Sequence, residues 1–555
     1  MTMTDPFPQL RKAGPARWIA PALLLAILAL AAALRLHGIA FGLPALNDPD
    51  EPLFMMTAFD MLRNRTLNPG WFGHPGTITL YCLALVCLAV GMLGMLTGRF
   101  AGAEGFAEAV YADPGIVFLP ARLFVMACAL VCIVLTYRIG KRLGGERIGL
   151  IAAAMLAINA VHIEYSQIIR TDMQASVFML LGALSALAIL RDGRERDYVL
   201  AGLWVGLAAA TKWPAALIAI APLCTGFARL RAGQREWDLV ILFAIAAVAT
   251  LFLASPYLLL DYPAVLRDLA GEARTIHPGA TGGGFLSNLA WYITGPLAGS
   301  FGMAGLALAG AGLACAAWRD RRWALVVLPV ILLLLAVLCA QHLVWVRWVV
   351  PLLPFLALAL AYALCALHDR LRARLPAKAA WAALPLMCAL LAVPMLQTGQ
   401  SRAAERAHDT RQAATFWIRQ HVPAGHSVLV EEAAIDLLRD GRRVIFPLGA
   451  AGCIDAREAL GGQIEYGEVE NKRAASPTVD LGHVALERIA SCRADYAIVT
   501  HYDRYRAAPI AFAEALQRYR VVLEGAALEA YFAPRAGESG GPVTYVYRLA
   551  PRSAR

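Results

Sequence analysis

The stretch WIAPALLLAILALAAAL, residues 18–34, is uncharged and long enough for a helix to enter and cross most of a membrane. Uncharged stretches of comparable length recur along the chain as far as residue 394. The 555 residues are 59% hydrophobic and only 16% charged, whereas soluble proteins contain about 25% charged residues. Because lipid offers no hydrogen-bond partners, backbone groups must bond within their own segment, which favours helices. The sequence therefore predicts an all-α polytopic membrane domain.

Arginine and lysine side chains cluster in the short links between the apolar stretches and indicate the direction of each span. Such links face the cytoplasm by the positive-inside rule. The basic N-terminus and five basic links are therefore assigned to the cytoplasm, and they explain the net charge of +10 without a nucleic-acid partner. The five links are residues 138–147, 191–197, 229–236, 318–323 and 368–378. The expected location is a bacterial-type inner (plasma) membrane.

This charge pattern predicts about eleven transmembrane helices, with the N-terminus in the cytoplasm and the C-terminus on the outer side. Residues 77–97 could also cross, but that crossing would turn the link 138–147 outward, so a re-entrant or interfacial helix is expected there. Pro214 should break residues 198–228 into a hairpin whose outer tip carries Lys212. The spans are expected at residues 18–37, 117–137, 148–163, 173–190, 198–210, 212–228, 239–255, 297–317, 323–340, 343–365 and 379–396.

The composition changes after Gln397, where an amphipathic helix and short apolar runs replace the long apolar stretches. The runs, which are typical of strands, include SVLVEE, RRVIFPL, ADYAIVTHY and VTYVYRLA. The sequence predicts a transmembrane domain at 1–397, with an outer loop at 38–76, and a small extracytoplasmic α/β domain at 398–555. Cys453 and Cys492 are the two cysteines of this polar tail. They could form a disulfide in an oxidising compartment, and free buried thiols are the alternative.

An acidic loop follows the first span and reads NDPDEPLFMMTAFDMLRNRTLNPGWFGHPG, residues 47–76. Asp48, Asp50 and Glu51 are so close that their charges repel, which raises at least one pKa or favours a divalent cation. A carboxylate in that state suits a general base acting on a hydroxyl or an amine. The alternative is a solvated loop whose acidic residues cap the next helix.

Polar residues in other turns are assigned to the same outer face. Arg170 and Asp172 interrupt two apolar spans, and ionisable residues are costly at such depth, so they are candidates for function unless they pair with each other. Lys212 lies between apolar helices and needs an anionic partner such as a phosphate, unless it extends to water from the helix tip.

Two further turns contribute Tyr257 and Asp261, and Arg347 between Trp345 and Trp348. Arg347 could bind a phosphate through two hydrogen bonds, or could pair with Asp261. The sequence contains no Walker loop, dinucleotide fingerprint, HExxH motif or CxxC pair, which argues against an ATP-driven pump and a zinc protease.

Several short motifs occur in a familiar order over residues 34–367. The motifs are DPDE at 48–51, HP at 74–75, RTD at 170–172, TKWP at 211–214, SPYLLLD at 255–261 and a late RW…P motif beginning at 347. This order resembles the lipid-carrier-dependent GT-C glycosyltransferases, especially the family that contains protein O-mannosyltransferases and lipid A aminoarabinose transferases.

The resemblance implies inverting transfer of a sugar from a polyprenyl-phosphate donor to a lipid, glycan or protein acceptor at the outer membrane face. Asp50 matches the acidic catalytic residue of the family, and Glu51 would support it. Asp172 would orient the substrate, while Lys212 and Arg347 would hold the donor phosphate.

The resemblance has two gaps. His74 matches the His-Pro-Pro motif of the family, although Gly76 replaces the second proline. The C-terminal tail resembles no accessory domain of the family, which leaves the acceptor open.

Two other functions are compatible with many spans and outward polar residues. One is a flippase or transporter of lipid-linked sugars, which should place polar residues near the middle of the bilayer or on paired broken helices. The other is a polymerase or ligase of surface polysaccharide, which would yield a joined polymer in place of a single added sugar.

Overall fold

The computed structural model describes residues 18–73, 76–231, 237–460 and 480–550. His74 and Pro75, the predicted His-Pro motif, lie outside the described residues. The chain is mainly helical up to His421, and a six-stranded sheet follows. Two short 3-10 helices, Trp213–Ala219 and Val346–Leu352, lie directly before longer helices.

The helices are numbered in chain order over the described residues. They are α1 (Ile19–Leu36), α2 (Glu51–Arg63), α3 (Thr77–Leu96), α4 (Gly102–Ala112), α5 (Gly115–Gly144), α6 (Glu146–Ala157), α7 (Ala160–Tyr165), α8 (Asp172–Arg191), α9 (Glu195–Thr211), α10 (Ile220–Arg231), α11 (Trp237–Ala254), α12 (Tyr257–Leu260), α13 (Tyr262–Glu272), α14 (Phe285–Tyr292), α15 (Ala298–Arg319), α16 (Leu328–Ala340), α17 (Leu353–Arg372), α18 (Ala377–Ala407), α19 (Thr410–His421), α20 (Ala456–Leu460), α21 (Tyr502–Arg506) and α22 (Ala513–Val522). The predicted domain boundary after residue 397 falls within α18, which continues to Ala407.

Ten helical stretches of the described chain are long and apolar enough to cross a membrane. They are Ile19–Leu36, Thr77–Leu96, Gly115–Gly144, Asp172–Arg191, Trp213–Leu230, Trp237–Ala254, Phe285–Arg319, Trp323–Ala340, Val346–Arg372 and Ala377–Ala407. Every predicted span except 148–163 and 198–210 overlaps one of them. The protein is therefore a multi-pass membrane protein.

The two remaining predicted spans are shorter helices. Residues 198–210 lie in α9, which has 17 residues. The predicted span 148–163 is formed by two helices, because α6 has only 12 residues and a new helix, α7, starts at Ala160. The break occurs at Asn159, whose side chain accepts a hydrogen bond from the backbone N–H of His162 at 3.0 Å, as an N-cap residue does.

The basic links meet at one end of the helix bundle. The side chain of Arg322 donates to the carbonyl oxygen of Arg142 at 2.8 Å, and Arg147 forms a 2.8 Å ion pair with Asp369. The acidic loop after α1 lies at the other end, where Arg347 contacts Asp50. The bundle therefore has one basic end and one end that collects the polar turns.

Helices α3 and α4 leave the polar end of the bundle and return to it. Thr79, in the first turn of α3, donates to Gln174 beside Asp172 at 2.7 Å. The Phe106 ring of α4 packs on Gly91 of α3, so that a Cβ at this glycine would lie 3.2 Å from the ring. The following helix, α5, reaches the acidic loop again through Arg122. The chain therefore leaves and re-enters the bundle at the same end, so α3 need not carry it to the other side of the membrane.

The chain breaks between α9 and α10 as the TKWP motif predicts. Lys212 has an extended backbone conformation, with φ −157° and ψ 123°, and Pro214 follows in the first turn of the 3-10 helix. At the far ends of the two helices, Gly226 of α10 packs against the ring of Tyr198 of α9, with 3.4 Å between that ring and a built Cβ. The two helices therefore form a hairpin with Lys212 at its tip.

The C-terminal region contains one mixed sheet with the strand order β3-β2-β1-β4-β6-β5. The strands are β1 (Ser427–Val430), β2 (Arg443–Pro447), β3 (Cys453–Asp455), β4 (Tyr496–Val499), β5 (Ala527–Phe532) and β6 (Thr544–Arg548). Strand β1 pairs in parallel with β2 and β4, whereas the other pairs are antiparallel. Cys453 and Cys492 form a disulfide. The predicted small α/β domain is confirmed.

A buried carboxylate lies just beyond the parallel strands of this sheet. Glu431 follows β1 and accepts hydrogen bonds from the backbone N–H of Thr500, at 2.7 Å, and from the hydroxyl of Tyr519. His501 lies 3.8 Å from Glu431 and 3.7 Å from Glu432. Burial by itself would lower the pKa of His501, but these two carboxylates raise it above its ordinary value. The imidazolium form is therefore favoured in the folded domain.

Candidate active site

Three carboxylates stand at the start of α2, and two of them share one arginine. Arg170 donates to both oxygens of Asp48 at 3.0 Å and also contacts Asp50. Arg347 contacts the same oxygen of Asp50 at 3.1 Å. Asp50 is therefore held between two guanidinium groups that come from distant parts of the sequence. The alternative pairings of Arg170 with Asp172, and of Arg347 with Asp261, do not occur.

Glu51 forms an ion pair of its own. Its two oxygens accept hydrogen bonds from Arg122 at 2.9 and 2.6 Å, and both side chains are fully buried. Arg122 also donates to the carbonyl oxygens of Ile39 and Phe41. Glu51 thus ties the acidic loop to α5, and this geometry favours a role in positioning Asp50 over a role in proton transfer.

Asp172 and Lys212 form the second ion pair of the site. The Lys212 ammonium, at the tip of the hairpin, contacts Oδ1 of Asp172 in the first turn of α8. Both side chains are almost completely buried. The lysine does not extend to water, because its side chain lies between helices and ends on Asp172. A buried pair of this kind must be well matched, since each charge alone is costly.

Two arginine donors of the site lack a partner among the described residues. In the described part of the chain, Nε of Arg170 and Nε of Arg347 are buried without an acceptor within hydrogen-bond distance. The guanidinium of Arg347 also lies 4.8 Å above the ring of Trp345, which holds it in place. Buried donors without partners are uncommon in folded proteins, and an anionic ligand would satisfy them.

Three cations of the site contact three carboxylates. Arg170, Arg347 and Lys212 face Asp48, Asp50 and Asp172. The carboxylates predicted as a possible cation site are therefore each engaged by an arginine, two by Arg170 and Glu51 by Arg122. Among the described residues, no group of three or more His, Cys, Asp or Glu residues could hold a metal ion.

The loop between α13 and α14 covers the arginine side of the site. His277 packs edge-on against Trp345, with 4.9 Å between the ring centroids. Burial, together with the nearby Arg274, lowers the pKa of His277 to about 4. The imidazole is therefore neutral at physiological pH and acts as a packing group next to Arg347.

The remaining predicted residues lie at the edge of the site or outside the described chain. Asp261 accepts a hydrogen bond from Asn68 at 2.8 Å, and Tyr257 packs with Phe72 in a small apolar cluster. They pack on the loop between α2 and α3 and, within the described chain, form no hydrogen bond with Asp48 or Asp50. His74 lies outside the described residues.

The C-terminal region contacts the acidic loop directly. The side-chain amides of Asn47 and Gln412 exchange two hydrogen bonds, at 2.9 and 2.6 Å. Asn47 directly precedes Asp48, so α19 contacts the segment that carries the candidate base.

Sequence reasoning missed Arg122 and Gln412. Arg122 interrupts the apolar α5, and an ionisable residue within a span is a signal of function or of a buried ion pair. That signal was present in the sequence. No sequence signal identifies Gln412, because its partner Asn47 lies 365 residues away.

Comparison with known proteins identifies the fold. Residues 114–259 match the family of dolichyl-phosphate-mannose-protein mannosyltransferases. A search of curated proteins finds no match. Among solved structures, the chain is similar to ArnT from Cupriavidus metallidurans bound to undecaprenyl phosphate, with 14% identity, a TM-score of 0.52, and coverage of 95% of this chain and 98% of that one. It is also similar to the archaeal oligosaccharyltransferase AglB from Archaeoglobus fulgidus in complex with an inhibitory peptide and a dolichol-phosphate, with 12% identity, a TM-score of 0.55, and coverage of 96% and 74%.

These findings confirm the GT-C fold and the resemblance that the motif order predicted. The fold is an all-α polytopic membrane domain followed by a small α/β domain. By its fold and by the match over residues 114–259, the chain is similar to membrane glycosyltransferases.

Proposed function

We propose that this protein transfers a sugar from a polyprenyl-phosphate donor to an acceptor at the outer face of the membrane, with inversion at the sugar. The observation that carries the proposal is the position of Asp50 between Arg170 and Arg347, next to the buried pair of Asp172 and Lys212. A carboxylate and several cations at one end of a helix bundle suit base catalysis opposite a phosphate leaving group.

In this mechanism Asp50 removes the proton from the acceptor hydroxyl or amine. The acceptor atom attacks the anomeric carbon on the face opposite the phosphate, and the bond between that carbon and the phosphate oxygen breaks. Both electrons of that bond leave with the phosphate, which Lys212 and Arg347 hold. Asp172 orients Lys212, while Glu51 fixes the backbone next to Asp50 through Arg122.

The arginine contacts suggest how the donor prepares the base. Arg347 bonds to Asp50 through Nη1, while its Nε lacks a partner in the described chain. A phosphate bound to Nε would compete with Asp50 for this guanidinium. As the phosphate draws Arg347 away, the carboxylate of Asp50 loses the contact with this arginine and becomes a stronger base.

Two structural relatives support a lipid phosphate as the donor carrier. The ArnT structure contains undecaprenyl phosphate, and the AglB structure contains a dolichol-phosphate. We extend this ligand class to the present chain because its site offers buried arginine donors that have no partner in the described part of the chain.

The proposed topology follows from the two ends of the bundle. The end that carries the basic links faces the cytoplasm, and the end that carries Asp50 faces outward. The disulfide between Cys453 and Cys492 supports this direction, because disulfides persist in oxidising compartments. We propose a bacterial-type inner membrane, with the N-terminus in the cytoplasm and the domain from residue 398 to 555 outside.

The decisive experiment is transfer by the purified protein from a panel of radiolabelled polyprenyl-phosphate sugars to membrane lipids and extracts. Asp50→Asn should abolish transfer, while Asp60→Asn, an exposed carboxylate on the same helix, should leave it unchanged. Both variants should insert and unfold as the wild type does. Transfer by Asp50→Asn at the wild-type rate would remove Asp50 from the mechanism. Movement of labelled lipid across vesicles without transfer, by both variants, would favour the flippase.

A further inference from the structure

The segment that carries Asp50 has no regular secondary structure. Residues 45–50 belong to neither a helix nor a strand, and α2 begins only at Glu51. The position of this segment therefore depends mainly on side-chain contacts. Arginines of the membrane domain hold Asp48 and Glu51. A third polar contact comes from the C-terminal region.

This third contact joins two amide side chains. Nε2 of Gln412 donates to Oδ1 of Asn47 at 2.6 Å, and Nδ2 of Asn47 donates to Oε1 of Gln412 at 2.9 Å. Asn47 is only 6% exposed. Two hydrogen bonds between the same two groups fix the orientation of the amides as well as the distance between them.

Gln412 is held firmly from its own side of this contact. Its Nε2 also donates to the carbonyl oxygen of Ala434 at 3.0 Å. The neighbouring Arg411 donates to both oxygens of Asp409, the N-cap residue of α19, at 2.9 and 2.7 Å. Helix α19 packs on the sheet through Ile418, which is fully buried. The folded α/β domain therefore sets the position of the Gln412 amide.

Asn47 transmits this position towards the base. A Cβ built at Gly42 would lie 2.6 Å from Cγ of Asn47, so the amide packs directly on the backbone of Gly42. Asp48 follows, and its Oδ1 accepts a hydrogen bond from the backbone N–H of Asp50 at 3.0 Å. A displacement of Asn47 would therefore move the turn that presents the carboxylate of Asp50.

Such a displacement matters because a general base must lie within about 2.6–3.2 Å of the atom whose proton it removes. A misplacement of about 1 Å can lower a reaction rate by about a hundredfold. In the described chain, Gln412 forms no hydrogen bond with Lys212 or Arg347, the residues assigned to the donor phosphate. Loss of the amide pair should therefore affect the base and spare donor binding.

We propose that Gln412 is a positioning residue: through Asn47 it holds the segment that carries Asp50, so that the C-terminal α/β domain completes the active site of the membrane domain. The inference rests on the proposed function, because Asp50 is the base of that reaction. It gives the C-terminal domain a part in the chemical step that requires no contact with either substrate.

The first test is the rate of sugar transfer by the purified full-length protein, with the labelled polyprenyl-phosphate sugar that the wild type uses. Gln412→Ala should lower kcat by about tenfold and leave the KM for the donor within about twofold of the wild type. Gln420→Ala removes the same side chain from an exposed position of the same helix and should change neither value. A wild-type kcat in Gln412→Ala would overturn the proposal.

A loss of folded protein would also lower the apparent kcat, so each variant is titrated with radiolabelled undecaprenyl phosphate. We expect Gln412→Ala to bind as many molecules of this lipid per chain as the wild type does, because the amide pair does not contact the phosphate-binding residues. Binding that falls in proportion to kcat would show a purely structural contact and would overturn the positioning role.

Asn47→Ala breaks the same pair from the membrane domain, so the proposal can still be refuted if Gln412→Ala does not fold. It should lower kcat to a similar extent. The double variant should lose no more than either single variant, because the second change removes an interaction that is already absent. Losses that multiply in the double variant would show that the two residues act independently and would refute the pair.

Hydrogen–deuterium exchange, measured by mass spectrometry, separates this inference from the proposed function. Backbone amides of residues 45–50 should exchange about tenfold faster in Gln412→Ala than in the wild type, since their opening no longer breaks the amide pair. Unchanged exchange would contradict the positioning role, whatever the transfer assay shows. A wild type that transfers no sugar would instead contradict the proposed function, even if exchange changes as expected.

Discussion

The sharpest prediction concerns the buried ion pair of Glu51 and Arg122. Breaking this pair tests whether Glu51 anchors the acidic loop or takes part in the chemistry. Glu51→Gln keeps the shape of the side chain and removes its charge. Arg122 then remains as a fully buried cation without a carboxylate. Breaking a buried pair in this way costs about 3–5 kcal/mol.

The expected loss of stability lies near the lower limit of this range. Arg122 keeps its hydrogen bonds to the carbonyl oxygens of Ile39 and Phe41, and its guanidinium lies 4.0 Å from the Phe41 ring. The amide oxygen of the substituted glutamine can also still accept one hydrogen bond. We therefore expect about 3 kcal/mol, which for a chain of this length corresponds to a decrease of about 2–3 °C in the unfolding temperature.

The assay is thermal unfolding of the detergent-solubilised protein, followed by tryptophan fluorescence, together with sugar transfer below the transition. Glu51→Gln and Arg122→Gln should each lower the unfolding temperature and reduce transfer to a similar extent. The double variant should lose less stability than the sum of the two, since neither charge is left alone. An unfolding temperature unchanged by Glu51→Gln, combined with a complete loss of transfer, would refute the anchoring role and make Glu51 catalytic.

Three further predictions concern other parts of the molecule. Lys212→Ala should weaken donor binding by about tenfold or more, because it removes a charged donor to the phosphate; an equal loss of acceptor binding would contradict that role. His501→Gln should remove the stabilisation of the folded domain by the imidazolium. That stabilisation is complete below the pKa of histidine in the unfolded chain, about 6.5, and is lost as the pH rises through the raised pKa of His501 in the folded domain. The difference in unfolding temperature between the wild type and this variant should therefore be larger at pH 6 than at pH 9. A difference that does not change with pH would contradict the stabilising role of the imidazolium form. Replacing Cys453 and Cys492 by serine removes a disulfide that joins positions 39 residues apart. This change should lower the free energy of unfolding in urea by about 4 kcal/mol. An unchanged urea midpoint would show that the disulfide does not stabilise the folded domain.

Much of the fold could be predicted from residue patterns alone. Apolar stretches and basic links predict the membrane helices and the two ends of the bundle, because burial in lipid and charge placement depend on local composition. Pro214 predicts the break at Lys212, which the structure confirms, since proline cannot continue a helix. The predicted strands at SVLVEE, RRVIFPL, ADYAIVTHY and VTYVYRLA are confirmed as β1, β2, β4 and β6. Strands β3 and β5 were missed, because β3 has only three residues and β5 is a mostly exposed edge strand without a buried apolar run.

The pairing of charges, in contrast, was decided by the tertiary structure. The sequence placed Asp50, Arg170, Asp172, Lys212 and Arg347 at one face, but it left open whether Arg170 pairs with Asp172 and Arg347 with Asp261. The structure instead pairs both arginines with Asp50 and pairs Asp172 with Lys212. A sequence pattern reports the polarity and the helical position of each residue. Which charges meet depends on how distant helices pack, and those partners lie up to 297 residues apart.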